Sequence, residues 1–147
     1  MRQLSNRPVD ALLAHYAESH CHPVNEAIHV MCIPAIIFSL LGLLWALHPL
    51  VALGFGIGCL LYYYRLSPPF AGGMLLVCGV MFGILALLPP QTVLPLSIVV
   101  FVAAWIGQFV GHRIEGRKPS FFEDLRFLLI GPLFVLALLY RRLRIAY

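Results

Sequence analysis

Residues 105–119 read WIGQFVGHRIEGRKP, and they mark the end of a long apolar segment. No Asp, Glu, Lys or Arg occurs from residue 66 to residue 112, nor from 27 to 64, so Arg65 alone interrupts two charge-free runs. Each run exceeds the ~20 apolar residues that cross a bilayer core as a helix. With 61% apolar and 11% charged residues in a chain of 147, a soluble domain could not hide so much apolar surface, whereas a bilayer can. The sequence therefore predicts an all-α integral membrane protein, one domain over residues 1–147.

Prolines and turn residues divide the runs. The span that ends in the quoted stretch covers about 92–112, and Pro89-Pro90 separates it from one over 70–88. Ser67-Pro68-Pro69 forms the preceding turn. A span over 50–64 ends in Tyr62, Tyr63 and Tyr64, an interfacial aromatic belt, followed by Arg65. His48-Pro49 separates it from a first span over 28–47, with Pro34 as a kink. That span continues a helix beginning at Pro23, because proline suits the first helical turn. Before it, residues 8–21 form an amphipathic helix with Leu12, Leu13, Tyr16 and His20 inclined to one side. Without the apolar core of a cleavable signal, this segment is expected to remain in the mature protein. Gly54/Gly58, Gly79/Gly83 and Gly107/Gly111 are small-residue pairs suited to close helix approach.

After Pro119, Ser120-x-x-Glu123 is a capping-box signature, so a helix over 121–140 is expected. Its uncharged part, 127–140, is short for a hydrocarbon core of about 30 Å. Arg2 and Arg7, Arg65, and Arg113, Arg117 and Lys118 occupy alternate loops. The positive-inside rule then places both termini in the cytoplasm, with the last helix re-entrant or in the membrane plane. The host membrane would be the inner membrane of a bacterium or the endoplasmic reticulum of a eukaryote. The formal charge of +4 is concentrated near the chain ends, which suits anionic lipid headgroups rather than nucleic acid. The cysteines at 21, 32, 59 and 78 show no CxxC spacing, which argues against a disulfide framework or zinc ribbon.

At about 100° per residue, Trp105, Gln108, His112 and Glu115 share one stripe roughly 80° wide, with Gly107 and Gly111 on the adjacent arc. An even number of spans returns this stripe to the membrane face that carries His20, His22, Asn25 and His29. First and last helices of a four-helix bundle can be neighbours, and the break at Pro23 lets His20 fold back toward His29. His20, His29 and His112 then make a candidate first-row metal site, with Glu115 or His22 as fourth ligand. Imidazole suits iron and zinc alike, and Glu115 could instead hold an imidazole N–H. The plainer readings are Glu115 paired with Arg113 or Arg117, His22 as a helix cap, and Asn25 satisfying helix-end N–H groups. His15 and His48 read as solvated and turn residues, and Trp45 and Trp105 as interfacial tryptophans.

The pattern Tyr16-x3-His20-x4-Asn25-x3-His29-x4-Pro34, followed by Gln108-x2-Gly111-His112-x2-Glu115-x3-Pro119, resembles a small membrane family. This is the yeast endoplasmic-reticulum 2-hydroxy fatty acid dioxygenase family of phytosphingosine breakdown, formerly of unknown function. The resemblance spans nearly the whole chain. It implies Fe(II)-dependent α-oxidation of 2-hydroxy fatty acids by O2, giving acids one carbon shorter. His20, His29 and His112 match the family's motif histidines and are the expected metal ligands. For that chemistry we expect Glu115, Asn25 and Gln108 to be catalytic, with Glu115 or a water it holds as base for the substrate hydroxyl, and Arg113 and Lys118 to steer the headgroup. The alternatives from the residues alone are a zinc-dependent intramembrane lipid hydrolase or amidase and a non-catalytic metal-binding scaffold, with a homo-oligomer compatible with any of them.

Overall fold

The computed structural model describes residues 7–119 and 126–147, and six helices account for most of them. In chain order they are α1 (Pro8–Glu18), α2 (Pro23–Leu47), α3 (Pro49–Leu66), α4 (Pro68–Leu87), α5 (Pro90–Glu115) and α6 (Phe127–Leu143). Each of α1–α5 opens on a proline in its first turn, where a missing N–H is no loss and the fixed φ is already helical. His22 and His48 supply the caps, their Nδ1 atoms each accepting from a backbone N–H two residues on, at 3.2 Å. The proline punctuation read from sequence is therefore the punctuation of the fold.

Helices α2–α5 are long and apolar enough to cross a membrane. At 1.5 Å per residue, the 25 residues of α2 extend about 37 Å. Large apolar side chains such as Leu47, Ile57, Leu76, Leu87 and Val99 point outward, unburied by protein. An apolar exterior on helices of this length makes the chain a membrane protein.

Helix α5 packs chiefly along α2, while α3 packs on α2 and α4. The α2–α5 approach depends on two glycines of α5. A Cβ on Gly107 would lie 2.6 Å from Cys32 Sγ, and one on Gly111 would collide with the side-chain oxygen of Asn25. By contrast, Gly54, Gly58, Gly79 and Gly83 face nothing within 4 Å among the described residues. Among the described residues, only the α5 pair of the three small-residue pairs makes a close helix crossing. Gly116 ends α5 in the left-handed region at φ 73°, with its N–H and that of Arg117 closing on the carbonyls of Arg113 and His112.

Nine of the seventeen residues of α6 are buried, among them Phe127, Ile130, Leu133 and Phe134, so it is a core element rather than a peripheral one. It packs against α1, α2 and α4. Tyr63 donates to the Leu129 carbonyl at 3.0 Å, and Tyr140 donates to the Pro69 carbonyl at 2.8 Å, fastening α6 to α3 and to the start of α4. The expected capping box at Ser120 and Glu123 lies outside the described residues. Arg7 bonds Asp10 at 2.9 Å and also the backbone carbonyl of Tyr147, so the two ends of the described chain meet.

Candidate metal centre

Helix α1 ends at Glu18, and residues 19–22 turn the chain into α2. The turn leaves the His20 ring stacked on Tyr16, centroids 4.1 Å apart and planes within 9°. Phe134 of α6 closes over both rings, at 5.5 Å from His20 and 5.1 Å from Tyr16. His29 lies on the second turn of α2, and His112 on the last turn of α5. The three imidazoles meet edge to face, with centroids 4.3 Å (His20–His29), 5.0 Å (His20–His112) and 4.7 Å (His29–His112) apart. All three are at least 96% buried. Each offers one ring nitrogen within 4.8 Å of the others.

The hydrogen bonds fix which nitrogens face the centre. His20 Nδ1 lies 2.7 Å from the Tyr16 carbonyl, and His29 Nδ1 lies 2.8 Å from the Asn25 carbonyl. A carbonyl only accepts, so in both rings Nδ1 carries the proton and Nε2 presents a bare lone pair. His29 Nε2 points at His112 Nε2, 3.1 Å away. His20 Nε2 and His112 Nδ1 are buried without a hydrogen-bond partner among the described residues. A buried ring nitrogen without a partner is costly; an ion held between the Nε2 atoms would satisfy His20 Nε2, whereas His112 Nδ1 lies on the other side of its ring and gains nothing from it. Two imidazole nitrogens bonded to one ion at about 2.0–2.1 Å stand about 2.9–3.4 Å apart, and the His29–His112 spacing falls in that range. The donor set thus fits a first-row transition metal, iron included. Burial lowers the pKa of His20 below its ordinary value, against the raising effects of the Tyr16 carbonyl and the Glu115 charge. Its ring is therefore held in the neutral form that binds metal.

Glu115 does not enter the three-ring cluster. Its carboxylate accepts from the backbone N–H of His22 at 2.8 Å, of Cys21 at 3.0 Å, and from Asn25 Nδ2 at 3.1 Å. It therefore ties α5 to the turn between α1 and α2 and sits at the N-terminus of α2, where a negative charge is favoured. Among the described residues it forms no ion pair with Arg113 or Arg117. His22 is exposed and its Nδ1 caps α2, away from the cluster. Asn25 is fully buried and links four parts of the site: its amide donates to Glu115 and to the Ser19 carbonyl (3.2 Å), its carbonyl holds His29, and its Oδ1 rests against Gly111. Gln108 is buried one turn before His112, and with Trp105, Tyr16 and Gly131 it lines a cavity of about 60 Å³ beside the His112 ring. Arg113, Arg117 and Lys118 are exposed at the same end of the fold.

Two contributors carry little sequence signal. The carbonyl and hydroxyl of Ser19 hold Asn25 and His20, and only the turn geometry brings them there. The cover by α6 arises from contacts more than a hundred residues apart in the chain. The Tyr16–His20 stack was accessible, since residues four apart share a helical face.

A protein-family model described as 2-hydroxy-palmitic acid dioxygenase Mpo1-like matches residues 7–143. The chain belongs to the Mpo1-like family. The match runs from the residue before α1 to the last residue of α6, so it takes in all three histidines, the Glu115–Asn25 tie and the covering helix. No curated protein and no solved structure gives a significant match to this Mpo1-like chain.

Proposed function

We propose that this protein is an iron(II)-dependent dioxygenase that converts 2-hydroxy fatty acids to fatty acids one carbon shorter. The observation that carries the reading is the convergence of three buried imidazoles, two of them held by backbone carbonyls with bare Nε2 atoms turned inward, in a chain of a family described by that substrate. Conversion of a 2-hydroxy acid to the shorter acid and carbon dioxide releases four electrons. One O2 accepts four in becoming water and a carboxylate oxygen, so no nicotinamide or flavin is needed, and no dinucleotide fingerprint is present. Bound at His20, His29 and His112, iron would supply the one-electron chemistry that O2 requires.

The other residues bind and orient. Gln108, at the small cavity, donates its amide to the substrate carboxylate. Asn25 fixes the ring of His29 through its carbonyl, and Glu115 fixes Asn25 and the turn that carries His20. In this reading Glu115 acts as a positioning residue, its carboxylate being committed to three N–H groups. Tyr16 and Phe134 pack on His20 and keep water from that edge of the centre. Arg113 and Lys118 attract the acid headgroup at the membrane face. That face is assigned to the cytoplasm, because it carries Arg65, Arg113, Arg117 and Lys118 while the turns at His48 and Pro89 carry no positive charge.

The test uses the full chain in lipid nanodiscs, stripped of metal and reloaded with Fe(II) or Zn(II). Pentadecanoic acid formed from 2-hydroxypalmitate by the iron form, with O2 consumed mole for mole and no product under nitrogen, supports the reading. Oxygen-independent turnover of a lipid amide or ester by the zinc form would replace it with a hydrolase.

A further inference from the structure

A second, larger cavity adjoins the one beside His112. It has a volume of about 420 Å³ and lies among α2, α3, α4, α5 and α6, within the range of about 300–1,000 Å³ usual for small-molecule pockets. The two cavities share Ile36, Ile37, Trp105, Leu128 and Pro132 as walls. The shared wall joins a polar end to an apolar one. Gln108 and His112 line the smaller cavity, whereas the larger is lined by groups such as Leu41, Met74, Phe101 and Cys78. The one hydroxyl among its described lining residues, that of Tyr63, already donates to Leu129. Phe101, Trp105, Gln108 and His112 recur at helical spacing along one stripe of α5, and at 1.5 Å per residue the stripe is about 16 Å long. Among the described residues the space is therefore elongated, apolar along its length, and polar only where the imidazoles converge.

We infer that this chamber receives the acyl tail of the substrate, so that the chain itself, and not bulk lipid, surrounds the methylenes nearest the headgroup. The inference rests on the function proposed above and gives the substrate its tail site. A helix from a second protein does not fit, because one turn of a helix about 10 Å across alone occupies about 420 Å³; a single alkyl chain does. Inside a bilayer the tail gains little from leaving water, since lipid tails are as apolar as leucine. The chamber accordingly selects by shape, favouring a straight tail over a branched or bulky one.

The test is photolabelling of the metal-free full chain in nanodiscs with 2-hydroxypalmitate carrying a mid-chain diazirine, followed by peptide mapping. A phosphatidylcholine bearing the same diazirine is the parallel arm. Labels on Phe101, Trp105, Cys59 or Cys78, displaced by unlabelled 2-hydroxypalmitate and not by phosphatidylcholine, are expected. Labels confined to outward residues such as Ile57, Leu76 and Val99 overturn the tail site, as does equal labelling of the chamber by the phospholipid. In a second measurement, Cys59→Phe fills the chamber and raises KM for 2-hydroxypalmitate about tenfold relative to 2-hydroxybutyrate; an equal change for both acids counts against the inference. Turnover of 2-hydroxypalmitate with outward labels removes the tail site and leaves the dioxygenase. Chamber labelling in a chain that never turns the acid over removes the dioxygenase and leaves a fatty-acid site.

Discussion

His29 and His112 face each other through their Nε2 atoms across 3.1 Å, from two helices that approach this closely because Gly107 and Gly111 carry no side chain. Ring position and helix packing are thus one property, and they are testable together.

Replacing His112 with glutamine keeps much of the bulk and removes the ring. Metal content after reloading is expected to fall to background, with dioxygenase turnover falling by more than the 10–100-fold typical of groups outside the ligand set. Far-UV circular dichroism should stay unchanged. A variant that retains stoichiometric iron would exclude His112 as a ligand.

Gly111→Ala places a methyl group against the buried side chain of Asn25. A loss of about 1–3 kcal/mol is expected, the usual cost of overpacking, together with weaker metal binding. Gly58→Ala, with open space around it, should stay within about 0.5 kcal/mol of the parent. Equal melting temperatures for the two variants in detergent would show that the α2–α5 approach does not depend on Gly111.

Glu115→Gln separates positioning from ligation. Gln cannot accept at its amide nitrogen, so one of the three N–H groups now bonded to the carboxylate loses its partner. Metal affinity should drop by about 10–100-fold, while the ligand-field spectrum of the cobalt-loaded protein remains that of the parent. A shifted spectrum would make Glu115 a ligand.

The pH dependence follows from His20, whose pKa is lowered by burial in the folded chain. The unfolded chain, with an ordinary imidazole value of about 6.5, takes up the proton first. The stability contributed by neutral His20 is complete above about pH 6.5 and is lost as pH falls from there toward the lowered folded value. His29 and His112 meet the same ring and the Glu115 charge acts on it from outside the cluster, so the parent alone does not isolate it. The melting temperature of metal-free protein should fall between about pH 7 and pH 5, less steeply in His20→Gln. Identical slopes would assign the effect to the other groups.

Much of this arrangement was legible in the sequence. Charge-free runs and proline punctuation locate the four spans, because both act through local backbone and solvation physics. An even number of crossings brings His20, His29 and His112 to one face, and the break at Pro23 releases His20 from the helical period. Other parts were not legible. The spacing of His112 and Glu115 places both on one stripe, but where the carboxylate goes depends on the turn at Cys21–His22, which belongs to another part of the chain. The length of 127–140 suggests an in-plane helix and says nothing of Phe134 packing on His20. Among glycine pairs of identical spacing, only three-dimensional neighbours distinguish Gly107/Gly111 from the rest.

The two carbonyls that hold His20 and His29 by their Nδ1 protons belong to the protein's own backbone and need no ion to be in place. An arriving cation therefore meets donors that already point the right way, and a departing one leaves the helices standing. If the function proposed above holds, a centre built like this would exchange its metal without unfolding, and metal supply at the membrane, rather than folding of the chain, would set how much of the protein is loaded.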